Sequence, residues 1–197
     1  MIFIIAGRLK KHKLVTPSGQ TTRPTLGKVR QTLFNICQHE IEGATFLDLF
    51  AGSGAIGLEA LSRGAKQATF VEYDRAAIRA IETNISHCGV ERESLVIRRD
   101  VFDLLPTLKP FDIIFADPPY GKGYGERILA LVAQGHLVKS ALFIEESTPI
   151  YQNHLKSELE LCSCRKIGGT YLHHFVPTQP SCNEQDEREP SPTDDFL

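Results

Sequence analysis

The sequence predicts an α/β fold: a doubly wound, mostly parallel seven-stranded sheet carrying an N-terminal β-hairpin and helix. Three observations lead there. The apolar run Phe46 to Phe50 passes directly into the turn Ala51-Gly52-Ser53-Gly54, and Ala55, Ile56, Leu58 and Leu61 follow at helical spacing. Apolar runs and amphipathic stretches then alternate, as strand–helix–strand units require. Four acids, Asp48, Glu72, Asp100 and Asp117, fall at the carboxyl ends of the apolar runs, which is where an open α/β sheet holds its ligands.

Taken in order, Met1 to Ala6 reads as a strand broken by Gly7, and Leu9 to Val15 as a second, basic strand. Pro17 to Gln20 is a loop. A helix follows Arg23-Pro24-Thr25, with Thr25 expected at its N-cap. Its apolar stripe is Leu26, Val29, Leu33, Ile36 and Cys37, which leaves Lys28 and Arg30 facing solvent or substrate. Phe46 to Phe50 is the first sheet strand. Ala68 to Glu72 is the second, followed by a helix from Arg75 to Cys88 that stops at Gly89. Leu95 to Arg98 is the third strand, with a helical turn at Val101 to Leu105. Phe111 to Ala116 is the fourth, followed by a helix from Gly125 to Gln134, and Ala141 to Glu145 is the fifth. Glu158 to Lys166 and Thr170 to Val176 form an antiparallel pair about Gly168-Gly169, which completes seven. The expected organisation is a basic extension over 1–40, a main domain over 41–176 and a polar, proline-rich disordered tail over 177–197.

At 197 residues and 42% hydrophobic content the chain suits one domain with a sizeable core. No apolar run is long enough to span a membrane. Met1 to Ile5 is too short for a secretory signal and has no basic residue ahead of it, so a cytoplasmic location is expected. The five cysteines are scattered; Cys162-x-Cys164 has no second pair, so buried or free thiols are favoured over zinc and no metal is expected. Of His173-His174, one should point inward and the other outward. The net charge of −2 conceals a gradient: residues 1–39 hold seven Lys or Arg and no acid, and residues 177–197 hold six acids and one Arg. A basic arm on a mildly acidic body suits a polyanion, nucleic acid above all. On charge alone, a solvated hairpin without a partner is a serious rival.

The glycine turn admits two cofactor readings. Gly52, Gly54 and Gly57 spell GxGxxG, and Glu72 stands twenty positions after Gly52, the spacing of a dinucleotide site with an acid on ribose hydroxyls. Asp48 argues instead for S-adenosylmethionine. A carboxylate just ahead of the turn repels a pyrophosphate but attracts an ammonium and a sulfonium. The second chemical signal is Asp117-Pro118-Pro119-Tyr120. Two prolines fix φ and remove two N–H donors, leaving carbonyl oxygens as acceptors beside the Asp carboxylate and a flat aromatic face. That set suits an amine on a planar ring, held by acceptors and stacked on the tyrosine.

Asp48 to Gly57 together with Asp117 to Tyr120 resembles a class I, Rossmann-like methyltransferase acting on the exocyclic amines of bases. Ile5-Ala-Gly-Arg-Leu9, Arg23-Pro-Thr25, Val29-Arg30 and Gly168 to Phe175 narrow the resemblance to the RsmD-like family, from about Met1 to Val176. Family members usually carry Asp-Arg where this chain has Gly27-Lys28. The resemblance implies methylation of guanine N2 in 16S ribosomal RNA, free or in an assembling small subunit, by a monomer. It implies cofactor binding at Asp48, Phe50, Gly52, Ser53, Gly54, Glu72, Tyr73, Asp100 and Val101, with Glu72 on the ribose and Asp100 on the adenine amine. It places catalysis at Asp117, Pro118, Pro119 and Tyr120, and RNA phosphates on Arg8, Lys10, Lys11, Lys13, Arg23 and Arg30. Asp-Pro-Pro-Tyr serves an adenine N6 amine in DNA or RNA equally well. A nicotinamide oxidoreductase leaves Asp48 and the Pro-Pro turn unexplained, and an inactive RNA-binding protein leaves the acids unexplained.

Overall fold

The computed structural model describes residues 2–17, 24–150 and 158–178. Arg23, most of the loop at 17–20 and the tail from 179 onward lie outside the described residues. In chain order the elements are β1 (Ile2–Phe3), β2 (Lys13–Leu14), α1 (Pro24–Ile36), β3 (Thr45–Leu49), α2 (Ala55–Ser62), β4 (Gln67–Glu72) and α3 (Arg75–Cys88). Then come β5 (Ser94–Arg98), α4 (Val101–Leu104), β6 (Phe111–Ala116), α5 (Tyr124–Gln134), β7 (Val138–Glu146), β8 (Leu159–Ile167) and β9 (Thr170–Pro177). The main sheet has seven strands in the order β5-β4-β3-β6-β7-β9-β8. β3 to β7 run parallel, and β9 enters antiparallel between β7 and β8.

Strand alternation sends side chains to two cores. Phe46, Phe70, Ile113 and Phe143 face one side, with Val29, Leu33 and Phe34 of α1 and with Ile4, Leu9 and Leu14 of the N-terminal segment. Leu47, Val71, Ile114 and Leu142 face the other, with Ile128, Leu129 and Val132 of α5. α3 follows its own code closely: Asp74 caps its first turn through Ala76 and Ala77, and Gly89 ends it in the left-handed region at φ 66°. Of the histidine pair, His173 is buried and His174 is half-buried against Phe143. Cys37 and Cys88 are buried free thiols, and Cys162 and Cys164 are exposed ones. No helix among the described residues is long and apolar enough to cross a membrane.

The N-terminal segment departs from expectation in three ways. The hairpin ladder is two residues per strand, not six or seven. Glu59 of α2 explains this: its carboxylate accepts the N–H groups of Ile5 and Ala6 at 2.7 and 3.0 Å, taking donors a longer ladder would use. Gly7 then turns at φ 78° against α2, where an added Cβ would sit 1.8 Å from the Ser62 carbonyl oxygen. Second, Arg30 does not face solvent or RNA. It is 6% exposed, donates from Nη2 to the Phe3 carbonyl at 2.6 Å, and lies 3.7 Å from the Glu59 carboxylate. The side of α1 that its apolar stripe leaves open is covered by the hairpin. Lys28 is exposed, as expected. Third, α1 begins at Pro24, whose fixed φ suits a first helical position, so Thr25 lies inside the first turn and not at the cap.

Glu59 is fully buried and also pairs with Arg63 one turn on, at 2.8 Å. Removing one member of such a network strands the others without partners. Glu59→Ala should therefore lower the unfolding free energy by roughly 3–5 kcal/mol in urea titration. A loss under about 1 kcal/mol would show that the Glu59 network holds the hairpin no more strongly than an exposed pair would.

Candidate active site

β3 and β6 are neighbours, Asp48 beside Phe115 and Leu49 beside Ala116. The chain leaves β3 toward β4 and β5 on one side, while β6 leads to β7 on the other. This reversal opens a crevice beyond the carboxyl ends of the two strands. Both sequence motifs stand on its lips. The Asp117 N–H meets the Leu49 carbonyl at 3.4 Å across it.

On the β3 side, Phe50 turns the chain at φ 59°, a left-handed conformation unusual for an aromatic residue. Gly52 and Gly54 continue the turn at φ 57° and 76°. Gly57 brings α2 down onto β4, since a Cβ there would meet the Phe70 ring at 2.3 Å. Asp48 lies beneath the loop, 1% exposed, with Oδ2 accepting from the Gly57 N–H at 2.9 Å. Burial pushes its carboxyl up to about 7, against the pull of the Gly57 N–H and with a further push from Glu72.

Glu72 ends β4 and grips the same loop. Its Oε2 accepts from Gly52 N–H at 2.9 Å, and its Oε1 from Tyr73 and Asp74 N–H at 2.7 and 2.9 Å. The Gly52 N–H is thus engaged by Glu72, which stiffens the cradle. Tyr73 is the most exposed large apolar side chain described, at 68%, with the Arg98 guanidinium near its ring. Asp100 is exposed and caps α4 by accepting from Phe102 N–H at 2.8 Å. Val101 is buried in the core below it. Ser53 is buried, and its carbonyl accepts from the Asn84 side chain at 2.9 Å.

Asp117 and Tyr120 are half-buried after β6, Pro118 is buried and Pro119 exposed. The Tyr120 hydroxyl donates to Glu145 at 2.9 Å and lies 3.3 Å from the Thr170 hydroxyl. Burial, first of all, with Asp117 and Glu145 nearby, holds that phenol well above its usual range, so it stays a neutral donor. The ring is thereby held toward the end of β7 and the start of β9.

The crevice brings together Asp48, the glycine loop, Glu72 and Asp117 to Tyr120, with Asp100 at the tip of the edge strand β5. Arg8, Lys10, Lys11 and Lys13 are exposed on the hairpin, and Arg8 pairs with Glu93 at 2.5 Å. Several residues escaped the sequence reading. Glu145 and Glu146 add buried acids at the tip of β7, a signal visible in the strand itself. Phe102 and Tyr124 pack edge to face at 4.9 Å, both beside Phe50 at 6.4 Å. Asn84 clamps Val15 of the N-terminal segment through both its N–H and its carbonyl, at 2.7 and 2.9 Å, while also holding Ser53. No motif marks Asn84; it reads as one polar residue on a helix. Among the described residues there is no group of three side chains suited to a metal ion.

Comparison with known proteins agrees with this geometry. The model of the family described as Conserved hypothetical protein 95 matches residues 2–176. Ribosomal RNA small subunit methyltransferase D of Escherichia coli K12 is 40% identical over 147 residues, 74% of each chain. The protein of that name from Haemophilus influenzae is 36% identical over 150 residues, covering 74% of this chain and 77% of its own. A solved Escherichia coli structure described as a methyltransferase, yhhF, superposes with a TM-score of 0.79 at 31% identity, covering 89% of this chain and 97% of its own. The fold is thus that of the class I methyltransferases, and the chain belongs to the Conserved hypothetical protein 95 family, in which its relatives are the ribosomal RNA small subunit methyltransferases D.

Proposed function

We propose that this enzyme transfers a methyl group from S-adenosylmethionine to the N2 amine of a guanine in small-subunit ribosomal RNA. The observation that carries the reading is the meeting of two motifs at one crevice: a buried acid under a glycine loop on β3, and Asp-Pro-Pro-Tyr on β6. The relatives' names supply the RNA, and their names specify methyl transfer.

The residues fit the donor. Asp48 is a buried carboxyl raised toward neutrality, with no cation beside it among the described residues, and a cation entering the loop would return it to the charged form. Glu72 and Asp100, at the tips of β4 and β5, stand where hydroxyls and an amine can be held. Asp48, Phe50, Gly52, Ser53, Gly54, Glu72, Tyr73 and Asp100 form the cofactor side of the crevice, with Val101 supporting it from below. Bound there, S-adenosylmethionine supplies an electrophilic methyl group.

The remaining work falls to Asp117-Pro118-Pro119-Tyr120. The N2 lone pair of guanine is delocalised into the ring, so the amine needs orientation before it can act as a nucleophile. The Asp117 carboxylate and the Pro118 carbonyl accept its N–H bonds, and Tyr120, pinned by Glu145 and Thr170, stacks on a base flipped out of the RNA. The exposed Lys10, Lys11 and Lys13 engage phosphates. Partners beyond the RNA, and a monomeric state without metal, belong to the same reading.

Three outcomes test it. Asp117→Ala should cut methyl transfer at least roughly a hundredfold while donor affinity by calorimetry stays near that of the parent. Full activity would remove Asp117 from the chemistry. Asp48 gives a pH signature. Its folded-state value of about 7 lies above the ordinary carboxyl value, so its protonated form stabilises the apo fold below that ordinary value. This contribution is lost as pH rises through about 7. A cationic donor prefers the carboxylate, so affinity should climb with pH by up to roughly tenfold per unit below neutrality. Asp48→Asn should bind weakly at every pH, and a flat profile in the parent protein would exclude Asp48 as the partner of the cation. Replacing Lys10, Lys11 and Lys13 together by Gln should reduce the slope of log affinity against log salt by roughly two. An unchanged slope would show the hairpin lysines idle.

A further inference from the structure

Phe3 is an aromatic side chain 44% exposed on a basic hairpin, and nothing in the mechanism uses it. In the β1–β2 register Phe3 stands opposite Lys13 and Ile2 opposite Leu14. Directly opposed residues of an antiparallel pair share a face. The inner face, Ile2 and Leu14, packs on the core, while Phe3 and Lys13 together present the outer face. Lys10 and Lys11 are exposed at the turn joining the two strands.

The backbone beneath this ring is held firmly. The Phe3 carbonyl accepts from the buried Arg30 at 2.6 Å, the Ile4 N–H goes to the His12 carbonyl, and the Ile5 and Ala6 N–H groups go to the buried Glu59. On the other strand Asn84 holds Val15 through both backbone groups. A fixed aromatic face beside an ammonium matches the chemistry of an unpaired nucleotide: the base lies on the ring while its phosphate meets the cation. Among occupants of an apolar surface, an RNA strand is singled out by charge, since Lys10, Lys11 and Lys13 are exposed on the same hairpin and the first 39 residues carry no acid.

We propose that Phe3, with Lys13 beside it, is a stacking platform for an unpaired nucleobase of the substrate RNA, distinct from the seat of the methylated base at Tyr120. This rests on the reading of the chain as an RNA methyltransferase and adds a second, sequence-tolerant contact to it.

The chain contains no tryptophan, so Phe3→Trp places a single reporter on the platform. Titration with single-stranded RNA should quench its emission in parallel with binding, and duplex RNA should quench it weakly. Phe3→Ala should weaken RNA binding by roughly 5- to 100-fold. Because no charge is altered, its salt slope should match the parent's, unlike that of the lysine variants. Its KM for RNA should rise while kcat at saturating RNA and donor affinity stay unchanged, and Phe3→Tyr should restore binding. Quenching absent with single-stranded RNA, or Phe3→Ala binding RNA as tightly as the parent, would overturn the platform while leaving methyl transfer intact. A parent protein that neither binds nor methylates ribosomal RNA would overturn the platform and the functional reading together. Phe3→Leu separates stacking from apolar contact: weak binding by Leu supports the platform, and full binding by Leu overturns it.

Discussion

The pairing of β3 with β6 is the constraint on which the molecule depends. These two parallel strands are far apart in sequence, yet their register sets Leu49 beside Ala116 and so aligns the turns that follow. A slip of one residue would send Asp48 to the opposite face of the sheet, away from the glycine loop that its carboxylate fastens. The register is secured by apolar packing on both faces: Phe46, Ile113 and Phe115 on one, Leu47, Leu49 and Ile114 on the other. The same packing that closes two cores therefore also sets the width of the crevice between Asp48 and Asp117.

Most of this sheet was legible because its strands are long apolar runs and its helices carry clear start and stop signals. α3 begins after Asp74 and stops at Gly89 as its residues dictate, and β6 has the expected bounds. The glycine turn after β3 and the Pro-Pro turn after β6 were legible because their chemistry is local: a left-handed turn needs glycine, and two prolines fix the chain and remove donors. Illegible were the residues whose roles depend on distant partners. Arg30 is indistinguishable from a surface arginine until the hairpin is seen to cover it and Glu59 to face it. Asn84 is one polar side chain among several on α3, and only its distances to Val15 and Ser53 show what it does. The hairpin was overestimated for the same reason. Its residues favour strands, but Glu59 captures the N–H groups that would have extended them.

Among the buried polar groups that join the N-terminal segment to the loop-bearing unit, Asn84 and Glu59 touch different sides of it. Asn84 ties Val15 to Ser53 in the glycine turn. Glu59 ties Ile5, Ala6 and Arg30 to α2, the helix that begins where that turn ends. Neither can be replaced by apolar packing without leaving backbone donors or acceptors unsatisfied in the interior. The extension therefore belongs mechanically to the β3–α2 half of the crevice and not to the β6 half that carries Asp117.

That attachment has a geometric consequence. α2 is eight residues long, about 12 Å at the rise of an α-helix. Its N-terminus lies under the glycine loop, and its last residue, Ser62, receives the hairpin through the Arg8 and Leu9 N–H groups. Any ligand touching the hairpin is thus registered against the glycine loop by one short, buried helix. Movement of the hairpin relative to the loop would have to break either the Glu59 network or the Asn84 clamp, each made of several buried hydrogen bonds. The distance between the basic arm and the crevice is consequently a property of the folded core. A flexible arm could raise affinity for any RNA, but it could not favour one nucleotide at a set offset from the arm. A rigidly seated arm can do both, which gives the fold a physical reason for building its basic N-terminal extension into the same core as the glycine loop.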